Sequence, residues 1–258
     1  MLNSLQMITP VRVISSSGPM RVELARWQGK LVVVKQLQAA SPVLANRLGR
    51  EAAVVTHLEH EHIVPLLAVQ DTSLIYAYCP GVSLEEALRE GPLGTAHSLR
   101  FVRHILAALE YAHAREVIHL DVKPSNILIN GEKALLTDFG FAKDLALAAI
   151  TQQGMSLGTP NYMAPEQFRG ERSDPRSDLY AVGAVLYHML TGAPPYGRDI
   201  FRFLTGDRTT PLTPLPEEVG SLRAFMARAL EYDPALRFGS AGEMLAALAP
   251  FYLDDLFF

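Results

Sequence analysis

The hydrophobic pattern of the chain changes character at Pro80-Gly81. Before that point the apolar residues come in short β-branched runs, "VRVIS", "RVELARW" and "KLVVVKQL", separated by Gly18-Pro19 and Gln28-Gly29. Runs of this kind, bounded by turn residues, read as strands. The stretch "SPVLANRLGREAAVVTHLEH" then has helical spacing, with Ser41-Pro42 as its cap and first turn. "VPLLAVQ" and "SLIYAYC" follow as a hairpin joined by Asp71-Thr72. After Pro80-Gly81 the period lengthens. "SLEEALRE" and "TAHSLRFVRHILAALEYAHAR" repeat their apolar residues as helices do, and further helices are predicted at about 174–191, 217–231 and 240–249. Between them lie hairpin-like runs, "VIHLDV" to "NILIN" and "ALLTDF". The expectation is an α+β protein: a small five-stranded β lobe with one helix over about residues 10–80, and a larger, mainly helical lobe over 81–258.

Charge and cysteine content narrow the function. A net charge of −4 argues against a general nucleic-acid or anionic-membrane surface. Cys79 is the one cysteine, so no intrachain disulfide forms, which fits a reducing, cytoplasmic setting. The start "MLNSLQMITPVRV" lacks a basic segment followed by an apolar run and does not read as a signal peptide. No apolar run reaches the roughly 18 residues of a membrane span, so no membrane insertion is expected. The longest candidate, "DLYAVGAVLYHMLTGAPPY", contains Asp178 and His188 and reads as a buried core helix.

Three strings stand in order: "HLDVKPSN" at 119–126, "DFG" at 138–140 and "APE" at 164–166. Taken singly, Asp and Asn in loops are turn residues. As an ordered, spaced set they resemble the signature of the protein kinase family, over about residues 11–250. The resemblance implies a bilobal fold and transfer of the γ-phosphoryl group of ATP, with Mg²⁺, to a protein hydroxyl. By the same resemblance, Asp121 orients or accepts the proton of the attacking hydroxyl and Lys123 meets the γ-phosphate. Asn126 and Asp138 give oxygen ligands to magnesium, the donor type that hard cations prefer. "DVKPSN" and "GTPNYMAPE" look like the serine/threonine form, with Thr159 bracing Asp121 and Lys123. "SDLYAVGAVLYHMLTGAPPY" is similar to the compact bacterial Ser/Thr kinases. Substrates are then Ser/Thr hydroxyls of proteins, the chain itself included, which implies self-association for autophosphorylation.

Other positions follow from the alignment with that family. Lys35, at the end of "VVVK", holds the α- and β-phosphates, and Glu51 is its helix partner. Adenine lies between the lobes, with its edge at "YAYC": Tyr76 as a bulky gatekeeper, the Ala77 carbonyl as acceptor and the Cys79 amide as donor. Val22, Val33 and Leu128 pack on the ring faces. Glu166 and Arg237 match a buried ion pair, Asp178 matches a carboxylate that holds the catalytic loop, and His119 and Phe139 stack in a column with Val55.

Two departures matter. The family expects G-x-G-x-x-G between its first two strands, and those positions here are Ser15, Ser17 and Met20. Only Gly18 is present, beside Pro19, which has no backbone N–H. Serine hydroxyls can replace backbone donors, so "SSSG" is a candidate phosphate cradle. The same erosion keeps a second reading open, a pseudokinase acting as a nucleotide-sensing or scaffold module. Leu120 also stands where the family often has an arginine that pairs with an activation-loop phosphate, so control by Thr151 or Ser156 is not expected. "HLEHEH" at 57–62 has the look of a metal motif, but His60 is read as structural. A small-molecule kinase, a third alternative, usually lacks the full "GTPNYMAPE" stretch.

Overall fold

The computed structural model describes residues 8–17, 20–38, 42–70, 72–139, 160–171 and 173–253. The chain divides into two units, 1–80 and 81–258.

The first unit is an antiparallel sheet of five strands in the order β1-β2-β3-β5-β4. The strands are β1 (Thr9–Ser17), β2 (Met20–Trp27), β3 (Lys30–Leu37), β4 (Leu66–Gln70) and β5 (Ser73–Ala77). Helix α1 (Pro42–Val55) joins β3 to β4. Gln28 and Gly29 close the β2–β3 hairpin with φ of 53° and 76°. Positive φ at both positions is the two-residue turn whose twist matches paired strands. Strand alternation sorts the side chains. Ala25, Val32, Val34 and Ile75 form a closed apolar core on one face, with Ile8, Trp27 and Ala68 packed against it. On the opposite face, the register pairs Val22 with Lys35, and Val33 with Tyr76. Helix α1 buries Leu48, Glu51, Ala52 and Val55, one stripe at i, i+3, i+4 and i+7.

The second unit begins with β6 (Val82–Ser83) and α2 (Leu84–Leu88). Ser83 and Glu86 close a reciprocal capping box: the Ser83 hydroxyl accepts from Glu86 N–H at 3.1 Å and the Glu86 carboxylate accepts from Ser83 N–H at 2.9 Å. Helix α3 (Thr95–His113) buries Leu99, Val102, Ile105, Leu106, Leu109 and Ala112. Strands β7 (Ile127–Asn130) and β8 (Lys133–Leu136) form a hairpin that pairs with β6. Then come α4 (Pro165–Phe168), α5 (Arg176–Thr191), α6 (Ile200–Leu204), α7 (Arg223–Ala229), α8 (Ala241–Leu248) and α9 (Pro250–Leu253). Helix α5 packs on α3 and α7, and every side chain of it is buried except Arg176, His188 and Thr191. A β-carbon on Gly183 would lie 2.8 Å from the Ala229 side chain, so glycine sets how closely α5 and α7 approach.

Two sequence expectations are corrected. "VIHLDV" is not a strand: residues 117–122 are irregular, because the backbone N–H groups of His119 and Leu120 bond to the Asp178 side chain. The helix expected over 217–231 is broken. A 3-10 turn, Glu217–Leu222, precedes α7, and Val219 leaves helical geometry at φ −108°.

Candidate active site

In the first unit, Lys35, Glu51 and Tyr76 meet out of water, with 8%, 0% and 5% of their surfaces exposed. The Lys35 ammonium donates to both Glu51 oxygens, at 3.0 and 3.2 Å. The Tyr76 hydroxyl donates to Glu51 Oε1 at 2.8 Å. A carboxylate with no exposed surface needs such donors, since an unpaired buried charge costs several kcal/mol. The sheet supplies Lys35 and Tyr76 from neighbouring strands on one face, and α1 delivers Glu51 onto that face. The alignment called attention to the Tyr76 ring; its hydroxyl bond to Glu51 was not legible, because the partner is 25 residues away in sequence. Val22 and Val33 lie on the same face, half-buried. Ala77 donates its N–H to the Pro65 carbonyl at 2.9 Å, and the Cys79 thiol approaches the Ala77 carbonyl at 3.9 Å. Burial pushes the Cys79 thiol pKa up. Ser15 is exposed on β1 opposite Val22, and Ser17 pairs with Met20. Gly18 lies outside the described residues, as do Thr151, Ser156 and Thr159.

In the second unit a different cluster forms around the loop 119–126. Asp178, in the first turn of α5, accepts His119 N–H at 2.9 Å, Leu120 N–H at 2.7 Å and a bond from His113 Nε2 at 2.9 Å. A carboxylate at a helix N-terminus is favoured by the helix dipole. The His119 ring lies 2.9 Å by Nε2 from the Thr137 carbonyl and receives Asp121 N–H on Nδ1 at 3.2 Å. A carbonyl only accepts and an amide N–H only donates, so His119 carries its proton on Nε2. Its ring meets Phe139 edge-on, with centroids 4.6 Å apart, and both are buried. Val55 is buried in the first unit.

The loop presents three polar side chains together. Asp121 Oδ2 lies 2.7 Å from the Lys123 ammonium and accepts from Asn126 Nδ2 at 2.9 Å. Asn126 Nδ2 also donates to the Asp121 carbonyl at 2.9 Å. The Asp121 side chain keeps 35% of its surface exposed, so it is fixed yet reachable. Asp138 enters at the same end of the β7–β8 hairpin. Ile127 pairs with Leu136, and Thr137 N–H bonds to the Asn126 carbonyl at 3.0 Å. Asp138 is half-buried at φ 64°. Leu120 is also left-handed, at φ 63°. For residues with a β-carbon this costs about 1–2 kcal/mol and persists only where surroundings enforce it. Leu128 sits in β7, opposite Ser83 and Leu135.

Beneath this loop the Arg237 guanidinium grips Glu166 with two bonds, 2.6 and 2.7 Å, and Ser177 adds a third at 2.7 Å. The Gln167 side-chain amide donates to the Leu120 carbonyl at 2.9 Å. Sequence reasoning missed Gln167 and His113. His60 accepts His62 N–H on Nδ1 at 3.2 Å.

Comparison with known proteins places this arrangement. The protein kinase domain family matches residues 16–248. The serine/threonine-protein kinase PknD of Mycobacterium tuberculosis is 36% identical over 229 residues, covering 84% of this chain and 34% of PknD. PknH of Mycobacterium bovis is 36% identical over 230 residues, covering 84% of this chain and 39% of PknH. The chain thus spans well under half the length of the curated relatives it matches. The crystal structure of the M. tuberculosis PknI kinase domain superposes with a TM-score of 0.72 at 29% identity, covering 94% of each chain. On the motifs, the fold and these matches together, the chain belongs to the protein kinase family.

Proposed function

We propose that this chain is a serine/threonine protein kinase domain that transfers the γ-phosphoryl group of ATP to protein hydroxyls, its own included. The observation that carries the reading is the Asp121 carboxylate, bonded by Lys123 and Asn126 on a loop whose backbone Asp178 pins. Both bonds land on Oδ2, which leaves Oδ1 to meet the hydroxyl of an incoming Ser or Thr. An alcohol is a poor nucleophile, and a carboxylate within reach of its proton helps it attack. Lys123 would meet the γ-phosphate, and Lys35, aimed by Glu51, would meet the α- and β-phosphates. The residues at the end of the β7–β8 hairpin fit Mg²⁺. Asp138 offers a carboxylate, and Asn126, its nitrogen turned to Asp121, offers a carbonyl oxygen. Bound magnesium would neutralise charge on the phosphates. Val22, Val33, Tyr76, Ala77, Cys79 and Leu128 are the residues proposed for adenine, and Ser15, Ser17 and Gly18 those for phosphate.

Among the described residues no helix is long and apolar enough to cross a membrane. We place the reaction in the cytoplasm, where a chain with the single thiol of Cys79 is at no disadvantage. The reading is tested by incubating the protein with labelled ATP and Mg²⁺, alone and with a generic basic protein. Label should pass to Ser or Thr, and Asp121→Asn should abolish it; a silent wild-type chain would defeat the enzyme claim.

The serines in place of the glycine-rich loop favour one other reading, a pseudokinase. A ligand that binds only the folded state raises its stability by RT ln(1 + [L]/Kd). No thermal shift with ATP and Mg²⁺ would support a scaffold, and a shift without transfer would support a nucleotide sensor.

A further inference from the structure

Leu120 immediately precedes Asp121 and holds a left-handed conformation, φ 63°. Its backbone is gripped from two sides. Asp178 accepts its N–H at 2.7 Å, and Gln167 donates to its carbonyl at 2.9 Å. The other end of the Gln167 amide is also used, because Oε1 accepts Ala164 N–H at 3.0 Å. One side chain therefore ties the first turn of α4 to the residue before Asp121. Gln167 is only 5% exposed. A buried amide is unfavourable unless its donor and acceptor are both bonded, so an apolar residue would fill this space better if filling were the task. At residue 120 the side chain is leucine, which offers no charge to a phosphate. The bond between α4 and the loop instead uses a neutral amide and the main chain.

We propose that Gln167 is a positioning residue for phosphoryl transfer, holding the Leu120 carbonyl so that the Asp121 carboxylate keeps its aim. The proposal rests on the kinase reading above. Release of that carbonyl frees the peptide plane that leads into Asp121, and the carboxylate swings away from Lys123 and Asn126.

Two variants test it. Gln167→Met keeps length without polarity. Gln167→Glu keeps the acceptor for Ala164 N–H and sets a carboxylate oxygen against the Leu120 carbonyl. Each 258-residue chain is assayed for transfer from labelled ATP, with rates divided by the fraction of protein that binds nucleotide. Amide hydrogen exchange over 117–122 is followed separately without nucleotide. In both variants kcat should fall about ten-fold or more, KM for ATP should stay within about two-fold, and exchange should accelerate about ten-fold. A kcat within about two-fold of wild type, or unchanged exchange, overturns the role of Gln167. A wild-type chain that transfers no phosphate overturns the kinase reading itself, a result distinct from a wild type that transfers and a Gln167→Met chain that keeps pace with it.

Discussion

Glu166 and Arg237 lie 71 positions apart in sequence and meet through two parallel bonds with almost no exposed surface. Arg237 also donates to the main-chain carbonyls of Glu231, Tyr232 and Arg176, so one guanidinium closes the gap between three segments. Removing one partner strands the other charge, at about 3–5 kcal/mol. Arg237→Met and Glu166→Leu should each lower unfolding free energy by that amount, read from urea denaturation. Arg237→Lys should recover little of the loss, since an ammonium has no fork to match the carboxylate.

Tyr76→Phe keeps the ring and deletes only the hydroxyl that bonds to Glu51. A hydrogen bond to a charged group contributes about 1.5–3 kcal/mol. The variant should lose roughly that stability, and KM for ATP should rise several-fold as Lys35 loses its aim. Unchanged stability and KM would show that the hydroxyl is idle.

Tyr162 and His188 form a pair with a pH signature. The Tyr162 hydroxyl lies 2.6 Å from His188 Nδ1, and the rings stack. Burial holds the His188 pKa below its ordinary value, and burial, with the Glu85 charge next, pushes the Tyr162 phenol up. The folded protein therefore binds a proton at His188 less readily than the unfolded chain does. Stability contributed by neutral His188 is complete above the unfolded pKa of about 6.5 and declines as pH falls below it. His60, also lowered by burial, adds to the same trend. Melting temperature should drop between pH 7.5 and 5.5, and His188→Gln should flatten the slope; an equal slope in the variant would assign the effect elsewhere.

Leu120 leads to a prediction about regulation. With leucine at position 120, a phosphate on the segment before α4 meets no guanidinium from that position. Thr151→Ala with Ser156→Ala should leave transfer to an added protein within about three-fold of wild type, measured after both proteins have been preincubated with ATP and Mg²⁺. A loss of ten-fold or more would mean another cation answers the phosphate.

The strands of the first unit were legible because β-branched runs and turn residues agree, as at Gln28-Gly29. The long helices were legible too, since α3 repeats Leu99, Val102, Leu106 and Leu109 on one face. "VIHLDV" misled because alternating apolar residues also occur in an irregular loop whose N–H groups find a side chain, and Asp178 is 58 positions from Leu120. The break at Val219 lies beside Gly220, whose low helix propensity was passed over in favour of the apolar spacing. At the site, the resemblance to protein kinase motifs singled out Lys35, Glu51, Asp121, Asn126 and Asp138. The bonds of Tyr76 and Gln167 escaped notice because no local pattern marks a hydroxyl or amide whose partner is distant in sequence.

Helix α5 has no wet face over most of its length. Such a helix has nowhere for neutral drift to accumulate. In a library of random variants selected for a folded chain, positions 177 to 187 should tolerate the fewest replacements, polar ones least of all, while Arg176 and Thr191 at its two ends should vary most freely.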